Sequence, residues 1–283
     1  MTETRSILVA TDFSEAAHHA VRRAGALAHE FGIGGRIAHV LPASLPAPVH
    51  ASAAAHAQEA LALLCAEAKR DGAAFEPLLL SGNVADAIVD CAGAHDLIVA
   101  GARGENLLLG FPFGRNSTRL IRQSRNPMLL VKTAPEGQYE RVLIAVDFSA
   151  ASEAAVRYAA QFVPQARLEL IHAFEVEFES TLRLAGVEES EIHAYRNEAR
   201  ERALAQMERF AAALALPPTR LWRTVQHGYP PRVILEREAS TDAQLVVVGH
   251  SASRMAELLL GSVAMEILNE ADCEVLVVPQ RAR

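Results

Sequence analysis

Cysteine is scarce in this chain: three residues in 283, Cys65, Cys91 and Cys273, far apart and each in an apolar setting. With no CxxC pair, neither a disulfide framework nor a zinc ribbon is indicated, and buried structural thiols in a reducing compartment are expected. Excess positive charge is also missing. Lys and Arg number 27 against 34 Asp and Glu, a formal net charge of −7, whereas nucleic-acid binders are usually basic. There is no signal peptide and no apolar run of about 18 residues. A cytoplasmic protein without a membrane partner is expected.

Familiar catalytic and phosphate motifs are missing as well. GxxxxGK[ST], GxGxxG, HExxH and GxSxG do not occur. The 11 histidines include His18, His19, His29, His50 and His56 in helical stretches. None has a Cys or acidic partner at ligand spacing, so solvated histidines are expected and no metal site. Serines, histidines and aspartates form no triad pattern. Hydrophobic residues at 51% and charged residues at 22% suit a globular protein rather than a disordered one.

What the chain does contain is an internal repeat. "RSILVATDFSEAAHHAVRRAGALA" from Arg5 matches "ERVLIAVDFSAASEAAVRYAAQF" from Glu140. "GGRIAHVLP" matches "QARLELIHAFE", "DLIVAG" matches "QLVVVG", and "NPMLLVK" matches "CEVLVVP". The shared order and spacing mark a tandem duplication. The joint lies in "KTAPEGQYE", Lys132 to Glu140, where Pro135 and Gly137 signal a linker. The expected domains are 1–134 and 139–283.

Each half alternates short Ile-, Leu- and Val-rich runs with helical patterns. The runs suit strands buried on both faces of a parallel sheet. Helices are expected over Ser14 to Phe31, about His50 to Asp71, Asn83 to Cys91 and about Arg115 to Ser124. The second half has a longer charged helix, Glu188 to Leu214, with Ile192, Tyr195, Met207, Phe210 and Leu214 as its packing stripe. The fold class is α/β: two tandem doubly wound domains, each a five-stranded parallel sheet flanked by four helices. Such sheets bind ligands beyond the carboxyl ends of the strands, where strand order reverses.

The fourth run ends at that edge in "GARGENLLLGFPFGRNSTRLI", with Gly101, Gly104 and Gly114. The first two glycines would let the backbone turn sharply and expose N–H groups. Gly114 would let the chain approach a ligand at the start of the next helix, whose unpaired N–H donors favour phosphate. A plain surface loop is the competing reading. Strand one ends in Ala10, Thr11 and Asp12. The Asp12 carboxylate either accepts from a ribose or adenine, or caps the helix from Ser14, which has a capping hydroxyl of its own. Strand two ends near Val40, whose backbone can meet a flat base.

On these residues the chain resembles the universal stress protein family, whose ATP-binding members carry G-x2-G-x9-G-[ST] after strand four. Gly101, Gly104 and Gly114 match that spacing, and Asp12 and Val40 match the ends of strands one and two. The resemblance covers both halves. It implies adenine nucleotide alpha hydrolase-like domains that pair through their last strands, ATP, ADP or AMP as ligand, and regulation rather than robust catalysis. Magnesium is expected only through the nucleotide.

Departures accompany the match. The family expects Ser or Thr after Gly114; here Arg115 and Asn116 follow, with Ser117 and Thr118 beyond. Arg115 either supplies charge to phosphate or blocks the pocket. In the second half, "GHSASRMAELLLGSVAMEIL" keeps Gly249 and Gly261 followed by Ser262 and Val263, but Ala252 replaces the middle glycine and the interval is one residue short. With Asp147 and Ala173 these form a second, weaker candidate site. From Gly101 to Asn126 the first half carries Arg103, Arg115, Arg119, Arg122 and Arg125 against Glu105. From Gly249 to Glu274 the second carries Arg254 against Glu257, Glu266, Glu270, Asp272 and Glu274. A polyphosphate prefers the first environment. Arg103 and Arg115 are the candidate phosphate ligands; Arg119, Arg122 and Arg125 read as a solvated helix face.

His39 and His172 sit at equivalent strand ends, where they would line the two pockets. The acidic stretches "FEVEFES" and "VEESE" read as a solvated loop or a partner-binding surface. The function expected is a nucleotide-responsive regulatory module of the stress response. A nucleotide-free protein scaffold and a weak ATPase are the alternatives, the latter without an evident general base. Both final strands, "NPMLLVKT" and "CEVLVVPQ", are apolar edges that invite pairing. An intramolecular pseudo-dimer is therefore expected, with an unidentified protein partner and room for a further homodimer.

Overall fold

In a computed structural model, residues 4–94, 96–102, 115–134, 137–176, 179–251 and 261–280 are described. The first half runs β1 (Ser6–Ala10), α1 (Glu15–Phe31), β2 (Gly35–Leu41), α2 (Ala47–Arg70), β3 (Phe75–Ser81), α3 (Val84–Cys91), β4 (Asp96–Gly101), α4 (Arg115–Gln123) and β5 (Met128–Val131). The second runs β6 (Arg141–Ala145), α5 (Ala150–Phe162), β7 (Arg167–Phe174), α6 (Glu179–Leu184), α7 (Glu189–Leu214), β8 (Leu221–His227), α8 (Pro230–Thr241), β9 (Leu245–His250), α9 (Ser262–Glu270) and β10 (Glu274–Pro279).

All ten strands form one sheet in the order β3-β2-β1-β4-β5-β10-β9-β6-β7-β8. Within each half the pairs are parallel. β5 and β10 pair antiparallel, with Leu130 opposite Val275, Leu129 opposite Leu276 and Met128 opposite Val277. The period of two sorts side chains between two cores. Ile7 and Val9 join α1, α2, α5 and α7 on one face; Leu8 joins α3, α4, α8 and α9 on the other. Each half is thus doubly wound, with strand order reversing between β1 and β4 and between β6 and β9.

Not every strand is covered on both faces. β3 is an outermost strand with much of its length exposed. Pro77 is accommodated there because an edge leaves some N–H groups without a ladder partner. In α7, Ile192, Met207 and Leu214 are buried as the stripe requires, but Tyr195 is 53% exposed and lies off it. The second half also has a fifth described helix, α6, within the stretch expected to be a solvated loop. Its Glu179 is held by Arg183, Arg196 and, at 3.0 Å, His227 at the end of β8. Those contacts give a six-residue segment the partners it needs to be helical.

Candidate functional site

The turn from β1 into α1 is built the same way in both halves. Ser14 is the N-cap of α1, its hydroxyl accepting from the Ala17 N–H, and Ser149 caps α5 by accepting from Ser152. Asp12 is therefore not the cap. Its Oδ1 accepts from the Ser14 N–H at 3.0 Å and the Ser14 hydroxyl at 2.5 Å, which fixes the carboxylate at the exposed rim. Between them Phe13 takes φ 65, and Phe148 takes φ 64 in the second half. Left-handed backbone is uncommon for a bulky residue. Ring contacts hold it: Phe13 stacks on His39 at 4.4 Å and Phe148 lies on His172 at 4.2 Å.

The two histidines do not simply line a pocket. His39 Nδ1 lies 2.8 Å from the Thr11 carbonyl and His172 Nδ1 lies 2.8 Å from that of Val146. Because a carbonyl only accepts, Nδ1 carries the proton in each. Each histidine thereby ties the end of one strand to its neighbour. Thr11 is also committed: its hydroxyl accepts from the Phe13 N–H and its N–H donates to Ala38.

Ala38 is the last residue of β2 opposite β1, while β2 continues beside β3 to Leu41. Backbone groups of alternate residues turn to the same side of a strand. Val40, two beyond Ala38, therefore turns its N–H and C=O past the end of β1; its side chain is buried. Ala173 stands in the same relation to Ile171, which accepts from Val146. The carboxyl edge thus brings together Ala10, Asp12, Val40 and Gly101 in the first half, and Asp147, Ala173 and Gly249 in the second.

Gly101 has a different reason from a turn. Its φ is not left-handed, and a Cβ there would stand 2.7 Å from the carbonyl carbon and oxygen of Ala16. Gly249 meets the backbone of Ala151 at 2.6 Å. Both glycines admit the first turn of a helix against the end of a central strand. Arg103, Gly104 and Gly114 lie outside the described residues, as do the side chains of Arg115 and Asn116, although both begin α4. In the second half Gly261 is the N-cap of α9, and Ser262 and Val263 open that helix.

The two carboxylates differ through one residue. Where the first half has Ala17, the second has Ser152, whose hydroxyl donates to Asp147 Oδ1 and accepts from the Asp147 N–H at 3.0 Å. Partial burial pushes the Asp147 carboxyl up, but the hydroxyls of Ser149 and Ser152 and backbone N–H groups outweigh it and hold the group below its ordinary range. At the strand end, His250 replaces Ala102; it is 4% exposed, and burial lowers its pKa.

Arginines divide too. Arg119 NH2 lies 2.9 Å from both oxygens of Asp86, tying α4 to α3. Glu274, counted from sequence among the acids of the second site, instead points into the protein against Arg23 at 2.8 Å. Among the described residues no cluster of His, Cys, Asp and Glu could hold a metal ion, and no helix is long and apolar enough to cross a membrane. The cysteines are free and half-buried; burial raises each thiol, most of all Cys273 beside Glu238. A groove between α1 and α2, bordered by His18, Arg22, Leu64 and Arg70, contains none of the candidate residues.

Two doubly wound α/β units, each with an aspartate two residues past its first strand and a glycine at or next to the end of its fourth, define the class of this chain. It belongs to the Universal stress protein family, whose model matches twice, over residues 3–132 and 138–279. A universal stress protein of Mycobacterium tuberculosis is 28% identical over 199 residues, 68% of this chain and 65% of that protein. The match thus spans somewhat under two thirds of that relative. One from Mycolicibacterium smegmatis is 27% identical over 205 residues, 70% of this chain and 67% of its own. The fold is similar to the crystal structure of a universal stress protein from Archaeoglobus fulgidus: TM-score 0.71, 19% identity, covering 98% of this chain and 99% of that one.

Proposed function

We propose that this tandem universal stress protein binds ATP or a related adenine nucleotide in its first half and acts as a nucleotide-responsive regulatory module in the cytoplasm. What supports the reading is that Asp12 and the backbone of Val40, turned past the end of β1, stand where strand order reverses between β1 and β4. A carboxylate beside backbone groups turned past a strand end suits a nucleoside, and a helix start with Arg115 suits phosphate. The G-x2-G-x9-G spacing of Gly101, Gly104 and Gly114 supports the same ligand. In the second half Asp147 takes a further hydroxyl, that of Ser152, where the first half has Ala17, which favours a weaker site built on Ala173, Gly249, Gly261 and Ser262. Nucleotide bound at this edge would change the surface offered to a partner protein. The halves, 1–134 and 139–283, act in this reading as an intramolecular pseudo-dimer through β5 and β10.

The test is whether nucleotide leaves the purified protein on denaturation, identified by mass spectrometry, and whether calorimetry gives one dominant ATP site. Gly114→Val should abolish that site in a folded protein, because a branched side chain bars the close backbone approach to phosphate that the glycine spacing is proposed to serve. Unchanged affinity would overturn the assignment. Complete absence of binding in the unaltered protein would favour the scaffold reading.

A further inference from the structure

The contact between the halves carries a charge that only one combination of halves neutralises. Arg23 in α1 is 5% exposed and Glu274 at the start of β10 is 3% exposed. Arg23 Nε donates to Glu274 at 2.8 Å and its NH1 donates to the Gly137 carbonyl at 2.7 Å. The guanidinium stands 4.6 Å over the ring of buried Tyr139, whose hydroxyl donates to the second carboxylate oxygen of Glu274. One half supplies the cation; the other supplies the anion.

The repeat shows what this contact has on its other side. Asp12 corresponds to Asp147, so Arg23 corresponds to Tyr158 and Tyr139 to Thr4; "NPMLLVK" against "CEVLVVP" makes Pro127 the counterpart of Glu274. The related contact is Thr4 Oγ1 to the Tyr158 hydroxyl at 2.7 Å, neutral, with Pro127 buried. The backbone seam is close to twofold while its charge is one-sided.

We propose that Arg23 and Glu274 make the pairing surface selective: a first half accepts a second half and rejects a copy of itself. Two first halves would set each Arg23 against Thr4 and Pro127, leaving two buried guanidinium groups without a counter-ion. Two second halves would set each Glu274 against Tyr158, leaving two buried carboxylates without a cation. An uncompensated buried charge is strongly destabilising. The backbone edges alone cannot choose, because β5 and β10 offer the same kind of ladder to any partner. The inference rests on the paired arrangement of the halves and is independent of nucleotide binding.

A protease site inserted within residues 133–138 allows the folded chain to be cut, unfolded, refolded and examined by native mass spectrometry. First–second pairs should exceed like pairs by on the order of a hundredfold or more. R23L/E274L removes the buried charge pair and keeps apolar bulk, leaving the half-buried Lys132 ammonium on the Ala271 carbonyl, so all three pairs should then move close to the statistical ratio. Abundant like pairs in the unaltered protein, or full selectivity in R23L/E274L, would overturn the proposal. Separation into single halves would instead refute the pairing itself, and the selectivity with it. In the intact chain, Glu274→Leu alone should speed amide exchange at Leu129, Leu130 and Val275 well beyond R23L/E274L. Equal exchange in the two variants also overturns it, and this arm requires no refolding.

Discussion

Gly101 lies directly against the backbone of Ala16, so close that a Cβ would stand 2.7 Å from the Ala16 carbonyl carbon. Gly249 stands to Ala151 as Gly101 does to Ala16, at 2.6 Å. The obstacle in both cases is helix backbone, which cannot step aside as a side-chain tip can. The glycine that begins the G-x2-G-x9-G spacing therefore serves first to seat α1 beside β4, and its presence in both halves does not distinguish them as ligand sites.

Gly101→Ala should accordingly destabilise the fold, by about 1–3 kcal/mol for a forced backbone shift. Gly261→Ala should stay within about 0.5 kcal/mol, since nothing described lies within 4 Å of its added carbon. Urea unfolding of the two variants checks the contrast.

The arginines of α4 separate in a similar way. Arg119 is occupied by Asp86, and both side chains are nearly half exposed, so Arg119→Ala should cost less than about 1 kcal/mol of stability. It should leave ATP affinity unchanged. Arg115→Ala should weaken ATP binding by about 1.5–3 kcal/mol, the range for a hydrogen bond to a charged group. Calorimetry distinguishes the two, and an affinity loss from Arg119→Ala alone would reverse their roles.

Asp147 gives the second half an acid-sensitive turn. Its carboxyl is held below the ordinary range because hydrogen bonds from Ser149 and Ser152 outweigh partial burial. A carboxyl depressed on folding adds stability above its unfolded pKa, near 4, and loses it as pH falls through the lower folded value. Ser152→Ala should raise the folded pKa, lower stability at neutral pH and flatten the loss of stability below about pH 4. NMR titration of Asp147 together with unfolding at several pH values checks the sign.

Much of this was legible in the sequence, for reasons that can be named. The apolar runs, the duplicated "DFS" and the glycine intervals are local signals, and they give the alternation of strands and helices and the family. Contacts between distant residues leave no such trace. Arg23 and Glu274 are 251 residues apart, and each alone reads as a surface charge on a helix or strand end. The left-handed turns at Phe13 and Phe148 were hidden because a bulky residue there is unexpected and the supporting ring comes from another strand. Helix α6 was hidden because its stability comes from Arg196 and His227 outside the segment. Ser152 was visible, but its meaning depends on standing one helical turn beyond Ser149, within reach of Asp147.

The last prediction turns that difference into a measurement on function. Asp12 and Asp147 hold the same place in the repeat, and each accepts an N–H from the serine two residues on. Only Asp147 also takes the hydroxyl of a second serine, Ser152, where the first half has Ala17. Asp12 accepts the Ser14 hydroxyl, and a carboxylate that holds a further hydroxyl, as Asp147 does, has less to gain from a ribose or an adenine. Asp12→Ala should therefore weaken nucleotide binding by about 1–3 kcal/mol, the cost of leaving a polar partner unsatisfied. Asp147→Ala should change it little, and the protein should bind one nucleotide in calorimetry. Ala17→Ser would transplant the second hydroxyl into the first half and should lower affinity in the same direction as Asp12→Ala, by a smaller amount. Equal losses from Asp12→Ala and Asp147→Ala, with two nucleotides bound, would mean two working sites and would end the claim that the first half dominates.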